Sequence, residues 1–259
     1  MAGERRRLAE GGLVIGRRVV TTAWLLATFG AEAAEPVRVL SGGALEPAVA
    51  AALAVWRSGN GAEVAVTFAT APRIAERLAA GERPELVLAP RPALEELERA
   101  GQLASPPRPL GSVGVGIALR DGAPVPDLRD ETSLRAALLA AEAVVFNRAS
   151  TGLYVERLLE RMGLAEAVAA KAVRFPDGDA VLERIGSGSG REIAFAAITE
   201  ILLWRDRGVR LAGPLPAAVQ NRTTYVAALL GDASPEARRF LAFLEDVPTR
   251  AAMAAAGVE

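Results

Sequence analysis

Histidine and cysteine are absent from all 259 residues, and lysine occurs only once, as Lys171. Without histidine, a Ser-His-Asp triad and a histidine metal site are excluded. Without cysteine, the chain has no thiol nucleophile, no cysteine zinc site, no iron–sulfur cluster and no disulfide bond. We therefore expect neither a metal centre nor a cofactor. Few side chains remain from which a nucleophilic enzyme site could be built.

An excess of charge of either sign is also missing. The chain carries 30 basic and 31 acidic residues, which gives a formal net charge of −1. Arginines interspersed with glutamates are typical of solvated helix faces, so we expect no nucleic-acid partner. Because 51% of the residues are hydrophobic, the chain is long and apolar enough for one large or two small globular domains.

The N-terminal segment has the layout of a secretory signal. Arginines at 5–7 and 17–18 precede the apolar run Val19–Phe29, and the small-residue pattern Ala31–Ala34 follows. The apolar run is shorter than the roughly 20 residues that span a bilayer. We predict a signal peptide over residues 1–34, cleaved after Ala33 or Ala34, and a mature protein free in the periplasm. An N-terminal amphipathic helix is the alternative, and the Sec or twin-arginine route stays open.

From residue 35 onward, apolar strand patterns alternate with amphipathic helix patterns. The first are a strand at Val37–Leu40, a helix at Leu45–Arg57 and a strand at Val64–Phe68. This alternation predicts an α/β fold in which parallel strands are covered by helices.

Proline- and glycine-rich links near 105–112 and 212–216 separate two such series. We therefore predict two α/β lobes joined by two crossing segments, with a ligand cleft between them. The predicted lobes are 35–112 with 214–259, and 113–213. Two independent domains in series are the alternative.

Four strand-to-helix turns are candidates for the ligand site, because ligands of open parallel sheets gather at the carboxyl ends of the strands. Small residues at such turns leave backbone N–H groups open for an anion. Each turn taken singly is equally typical of an ordinary helix cap. The candidate residues are Ser41, Gly42, Gly43, Thr70, Ala71, Ser150, Thr151, Gly152, Thr199 and Glu200.

Glu200 differs from the other candidates because it is a carboxylate at the end of an apolar strand pattern. Facing a cleft, it would bind a cationic or hydroxylated group of a ligand; otherwise it pairs with an arginine. Asp177 and Asp179, in contrast, lie where a helix begins and are predicted to cap it or to be solvated.

A resemblance to a known family is carried by the segments VLSGGALEPAV, VTFATAPRIAERLAAGERPELVLAP, NRASTGLYVERLLERMGL, IAFAAITEIL and LAGPLPAAVQNRTTYVAALL. In these segments the chain after the signal resembles the periplasmic molybdate-binding proteins that serve ABC importers. The resemblance implies a type 2 periplasmic-binding fold. It also implies a tetrahedral oxyanion held by N–H groups and hydroxyls at helix N-termini, and an ABC permease as partner.

Three positions depart from the family's pattern. Ala44 stands where oxyanion-binding members have a serine, Ala71 or Pro72 stands at a second serine position, and Ala197 replaces a tyrosine. Several hydroxyls that a molybdate site uses are therefore missing, and the chain resembles a divergent branch.

We accordingly predict a monomeric periplasmic solute-binding protein, not an enzyme, that closes around a small solute, with molybdate or tungstate the leading ligand. The alternatives are a small organic solute, an exported hydrolase that uses Glu200 with Ser41 or Thr199, and a ligand-sensing domain.

Overall fold

The structure is a computed structural model that describes residues 35–59 and 61–259. The predicted signal peptide at 1–34 lies outside the described residues and stays a prediction. Within the described part of the chain, every helix is too short or too polar to cross a membrane.

The described residues form nine β-strands. The strands are β1 Val37–Gly42, β2 Val64–Ala69, β3 Leu86–Pro90, β4 Arg108–Arg120, β5 Ala143–Asn147, β6 Ala172–Phe175, β7 Glu192–Ala197, β8 Val209–Pro214 and β9 Arg222–Leu229.

Ten α-helices accompany these strands. The helices are α1 Glu46–Ser58, α2 Ala71–Ala79, α3 Arg91–Arg99, α4 Glu131–Ala140, α5 Ser150–Arg161, α6 Ala165–Ala169, α7 Gly178–Ser187, α8 Ile198–Leu203, α9 Pro235–Phe243 and α10 Val247–Ala255. Short 3-10 turns lie at Gly43–Leu45, Arg205–Arg207 and Ala217–Val219.

The strands pair in the order β2-β1-β3-β9-β4-β7-β5-β6, and β8 pairs with β4. β1 is parallel to β2 and β3, and β5 is parallel to β6 and β7. The prediction of parallel strands covered by helices is confirmed for these two groups. β9 and β4 join the groups by antiparallel pairing, because β9 pairs with β3 and β4, and β4 pairs with β7.

β4 changes partners along its length. Its residues Arg108–Gly114 pair with β9, whereas Val115–Ala118 pair with β7. The predicted link at 105–112 is wrong for Arg108–Ser112, which belong to β4. The exact lobe limits, 35–112 with 214–259 against 113–213, stay a prediction.

Each group of parallel strands has its own apolar packing. Val49 of α1 and Phe240 of α9 pack with Leu45 of the preceding 3-10 turn and with residues of β1 and β9 in one cluster. Phe146 and Phe195, on β5 and β7, pack with helices α4 and α5 in another. Burial of large apolar side chains stabilises folding by about 1.5–3 kcal/mol each, so both halves of the sheet are held by cores of their own.

Helices α2 and α5 begin earlier than their apolar patterns indicate. α2 and α5 start at Ala71 and Ser150, whereas the periodicity predicts starts at Ile74 and Tyr154. β7 ends at Ala197, so Thr199 and Glu200 belong to the first turn of α8 and not to a strand end. The N–H groups in the first turn of a helix have no intrahelical partners. The residue at which each helix starts therefore decides which backbone N–H groups are open.

Candidate functional site

A cavity of about 340 Å³ lies at the carboxyl ends of strands from both parallel groups. This volume falls in the range of small-molecule sites. The lining includes the last strand residues Gly42, Ala69, Pro90, Asn147 and Ala197, and Pro176, which directly follows β6. The sequence rule that ligands of parallel sheets bind at strand ends therefore leads to this cavity.

Helix α2 begins at the cavity without a side-chain cap. Thr70 precedes the helix, lines the cavity and makes no capping hydrogen bond. The N–H of Ile74 donates to the carbonyl of Thr70 at 2.9 Å. Pro72 has no N–H, so the first-turn donors of Ala71 and Arg73 are left toward the cavity. An anion is the natural partner for such a helix start.

Helix α5 also begins at the cavity, and Asn147 organises its first turn. Oδ1 of Asn147 accepts hydrogen bonds from the N–H groups of Ala149 at 3.0 Å and Gly152 at 2.9 Å. Among the described residues, no acceptor is bonded to the intervening N–H groups of Ser150 and Thr151. Both of these residues line the cavity, so α5 presents donors there as α2 does.

Two arginines add positive charge beside the start of α2. Arg73 and Arg77 line the cavity. Arg73 forms an ion pair with Glu76 at 2.6 Å, and Arg77 forms one with Glu82. Each pair leaves part of a guanidinium free to contact an anionic solute.

Helices α7 and α8 start at the same cavity, and at each start a carboxylate of the chain accepts from a backbone N–H group, in the first turn of α7 and just before the first turn of α8. Oδ1 of Asp177 accepts from the N–H of Ala180 at 2.9 Å. Oε2 of Glu200 accepts from the N–H of Ala197 at 3.3 Å. The prediction that Asp177 caps a helix is confirmed, and Asp177 also lines the cavity.

The carboxyl group of Glu200 is held between two glycines. A Cβ added to Gly178 would lie 2.3 Å from Oε2, and one added to Gly43 would lie 3.6 Å from Oε1. Within the described chain, no lysine or arginine forms a salt bridge with Glu200. The predicted alternative of an arginine pair is therefore not seen among the described residues.

Burial is the main cause that raises the pKa of Glu200, to about 7. The hydrogen bond from the Ala197 N–H lowers this pKa, whereas the negative charges of Asp179, Asp177 and Glu46 raise it. Glu200 is therefore divided between its neutral and charged forms near neutral pH.

Two further titratable groups share this environment. Burial and the charge of Asp179 raise the pKa of Glu46, while Arg207 lowers it. Burial, assisted by the charge of Glu200, also raises the pKa of Tyr225, whose ring lies against Gly42. Tyr225 stays a neutral phenol and is a possible donor to a solute.

Seven of the ten predicted site residues line the cavity. They are Gly42, Gly43, Thr70, Ala71, Ser150, Thr151 and Glu200.

The other three predicted residues, Ser41, Gly152 and Thr199, do not line the cavity. Ser41 is fully buried on β1, and its hydroxyl donates to the carbonyl of Gly42 at 3.3 Å. Thr199 is fully buried, and its hydroxyl donates to the carbonyl of Ala44 at 2.6 Å. Gly152 lies against the carbonyl of Asn147, where a Cβ would come within 1.6 Å of the oxygen. We no longer expect these three to contact a solute.

The positions at which the family resemblance implied missing hydroxyls all belong to the cavity. Ala44, Ala71 and Ala197 line it, each with a methyl group in place of a hydroxyl side chain. The cavity therefore offers fewer neutral hydroxyls than the resemblance implies for a molybdate site.

Sequence reasoning missed several lining residues, among them Asn147, Arg73, Arg77, Glu46 and Tyr225. Asn147 is the last residue of β5, so the strand-end rule could have found it. Tyr225 lies inside β9, where no local signal in the sequence marks it. Among residues 35–59 and 61–259, no three acidic side chains are placed to hold a metal ion.

Solved structures with this fold define its class. The periplasmic molybdate-binding protein of Azotobacter vinelandii superposes with a TM-score of 0.70 at 15% identity, over 86% of this chain and 98% of that one. The sulfate-binding protein SubI of Mycobacterium tuberculosis gives 0.67 at 17% identity, over 86% of each chain. The fold is the type 2 periplasmic-binding fold, with two lobes and a cleft between them, as predicted.

Residues 37–259 match the family described as bacterial extracellular solute-binding protein, and the chain belongs to this family. A relative named aconitate isomerase, from Pseudomonas sp, is 30% identical over 233 residues, which are 85% of this chain and 86% of that protein. The predicted resemblance to molybdate-binding-type proteins is confirmed at the level of the family.

Proposed function

We propose that the protein is the periplasmic solute-binding component of an ABC importer and that it closes around a small anionic solute. The carrying observation is that α2 and α5 start at one cavity and that each first turn has open N–H groups, those of Ala71 and Arg73 in α2 and those of Ser150 and Thr151 in α5. Contacts from both lobes favour the closed form, which a membrane permease then recognises. We expect the protein to act as a monomer.

Two kinds of anion suit open helix starts, a tetrahedral oxyanion such as molybdate or tungstate and a carboxylate of an organic acid. Alanines at 44, 71 and 197 withhold the hydroxyls that would surround a tetrahedral dianion. Glu46 and Asp177 line the same cavity, and like charges close to a compact dianion cost several kcal/mol. These observations favour a small organic acid, whose carboxylates meet the open helix starts while its neutral atoms lie near the acidic groups.

The test is a binding screen of the purified protein by thermal unfolding and titration calorimetry. The probes are molybdate, tungstate, sulfate, phosphate, cis-aconitate, trans-aconitate and the saturated analogue tricarballylate. A solute at 100 times its Kd stabilises the folded protein by about 2.7 kcal/mol. We expect an organic acid to stabilise the protein and sulfate and phosphate to have no effect. If only molybdate or tungstate binds, the solute is a tetrahedral oxyanion and not an organic acid. If none of the probes binds, the proposal of an anion site is wrong.

A second candidate function is isomerisation of an unsaturated organic acid. The aconitate isomerase relative covers most of this chain, and Glu200 ionises near neutral pH beside the cavity. A carboxylate base could take a proton from the allylic CH2 of aconitate, and the double bond would shift as the electron pair moves. Return of the proton to the former alkene CH carbon completes an isomerisation without a redox cofactor.

This candidate is tested by incubating trans-aconitate with the protein in D2O and following the solute by proton NMR. Turnover predicts formation of the cis isomer and entry of deuterium at the exchanging carbon. The Glu200→Gln variant should lose both signals, because an amide cannot accept the proton. A protein that binds trans-aconitate without either signal is a binding protein only.

A further inference from the structure

Glu200 occupies a position that anion binding alone does not explain. Its carboxyl lies between Gly178 of α7 and Gly43 of the 3-10 turn before α1, and it lines the cavity. An unpaired negative charge there would repel the solute that the open helix starts attract. A protonated carboxyl would instead donate a hydrogen bond to that solute.

The charged groups around Glu200 reinforce its neutral form. α7 contributes Asp177 and Asp179, and α1 contributes Glu46, all of them acidic. β9 contributes the phenol of Tyr225. The basic groups near the cavity interact with other carboxylates. The charge of Arg207 lowers the pKa of Glu46, and Arg73 and Arg77 of α2 form ion pairs with Glu76 and Glu82.

We propose that Glu200 is a specificity residue whose protonated carboxyl donates a hydrogen bond to an oxyanion group of the solute. The complex with each bound solute therefore carries one proton on Glu200. The inference rests on the proposed binding of an anionic solute. No covalent bond forms or breaks in the solute; the proton comes from solvent and stays on Glu200 while the solute is bound.

This arrangement selects among solutes. An anion gains a donor from the neutral carboxyl, whereas a cationic or purely apolar solute gains nothing from the proton. Conversely, a bound anion stabilises the proton on Glu200, because binding and protonation are reciprocally linked. Affinity should therefore fall once the pH rises far enough to ionise the free protein's Glu200.

The experiment is calorimetric titration of the purified protein with trans-aconitate, at about pH 7 and about pH 9, in two buffers of different ionisation heat. Over this range the carboxyls of the solute stay ionised, so a change in affinity reports on the protein. We expect the affinity to fall by roughly tenfold or more between the two pH values. We also expect net proton uptake that approaches one per solute at the higher pH.

The Glu200→Gln variant keeps a donor at the same place but cannot titrate. It should retain binding, lose the pH dependence and take up no proton. Glu96→Gln, on the exposed side of α3, is the matched control and should behave as the wild type.

The outcomes separate the inference from the proposed function. Binding with pH-independent affinity and no proton uptake would overturn the role of Glu200 and leave the anion site standing. Proton uptake that persists in Glu200→Gln would assign it to another group. If neither trans-aconitate nor any other anion of the screen binds, the proposed function fails and this inference fails with it.

Discussion

Among the helices that start at the cavity, two pairs can be compared, α7 with α8 and α2 with α5. At α7 and α8, carboxylates of the chain, Asp177 and Glu200, accept from backbone N–H groups near the helix starts. At α2 and α5, N–H groups are left open toward the cavity. The first pair thus has a carboxylate of the protein at or beside each helix start, whereas the second pair leaves first-turn N–H groups for which an anion from outside is the proposed partner.

A missing cap is not by itself a binding site, since α10 also lacks one and does not reach the cavity. What distinguishes α2 and α5 is that their open starts face a shared enclosed space. α4 and α9, which begin elsewhere, are closed by Asp130 and Ser234. The proposed solute anion would therefore meet the N–H groups of α2 and α5 to which no acceptor of the chain is bonded.

The largest effect is expected from converting an open start into a closed one. In Thr70→Asp, the new carboxylate can accept from the first-turn N–H groups of α2 and so fill the place of the solute. We expect the affinity for the bound anion to fall about 100-fold, through lost donors and like charge. The free energy of unfolding should rise by about 1 kcal/mol, because the helix gains a cap.

Calorimetric titration and chemical denaturation measure these two opposite changes. Thr132→Asp, on the exposed first turn of α4, is the control that adds the same charge away from the cavity. A Thr70→Asp protein that is stabilised but binds as tightly as the wild type would show that α2 does not hold the solute.

The second effect concerns the closed pair and depends on pH. The folded-state pKa of Glu200 lies at about 7, above the ordinary 4.5 of the unfolded chain. The folded state therefore binds more protons between these values, and stability falls as the pH rises from 4.5 to 7. Above pH 7 the loss is complete.

Glu200→Gln removes this loss. We expect its free energy of unfolding to exceed that of the wild type by about 2 kcal/mol near pH 8, and to match it near pH 4.5. Urea denaturation at several pH values measures the difference. An equal difference at both pH values would mean that packing and not ionisation of Glu200 is responsible.

A third prediction distinguishes the structural role of Thr199 from the binding role proposed for its neighbour Glu200 on α8. Thr199→Val removes the hydroxyl that donates to the carbonyl of Ala44 and leaves that buried acceptor unpaired. We expect a loss of about 1–2 kcal/mol in the free energy of unfolding. Solute affinity and proton uptake should stay as in the wild type, and a selective loss of affinity without a loss of stability would return Thr199 to the binding site.

The smallest effect on stability is expected at Gly178. In Gly178→Ala, the new Cβ would lie 2.3 Å from Oε2 of Glu200, so the carboxyl must move. Because the end of a flexible side chain can give way, we expect a change in stability within about 1 kcal/mol. The proton uptake on solute binding should nevertheless fall.

Gly43→Ala is the matched control for this change. Its Cβ would lie 3.6 Å from Oε1, an ordinary contact that leaves the carboxyl in place. Equal proton uptake in the two variants would show that the position between the glycines does not matter.

Much of the fold could be predicted from periodicity. The alternation of apolar strands and amphipathic helices correctly indicated parallel strands, as in β1, β2 and β3. The strand-end rule led to a cavity that Gly42, Thr70 and Ser150 line. These features are local, because they follow from the 2-residue and 3.6-residue periods of the two elements.

The direction of individual side chains was less accessible. Ser41 and Gly42 are adjacent on β1, yet the hydroxyl of Ser41 is buried while Gly42 lines the cavity. Thr199 and Glu200 are adjacent on α8, where successive side chains point about 100° apart. A shift of the helix start by one or two residues therefore exchanges a buried hydrogen bond for a cavity contact.

The sequence by itself determined the kinds of element, the strand ends at which a site could form, and the lack of histidine and cysteine chemistry. Only the tertiary structure decided that Glu200 lies between Gly43 and Gly178, beside acidic residues from two other segments. The apolar periodicity of helices and strands and the capping of helices depend on residues close together in the sequence. The burial and charge that set the protonation of Glu200 come from residues brought together by folding.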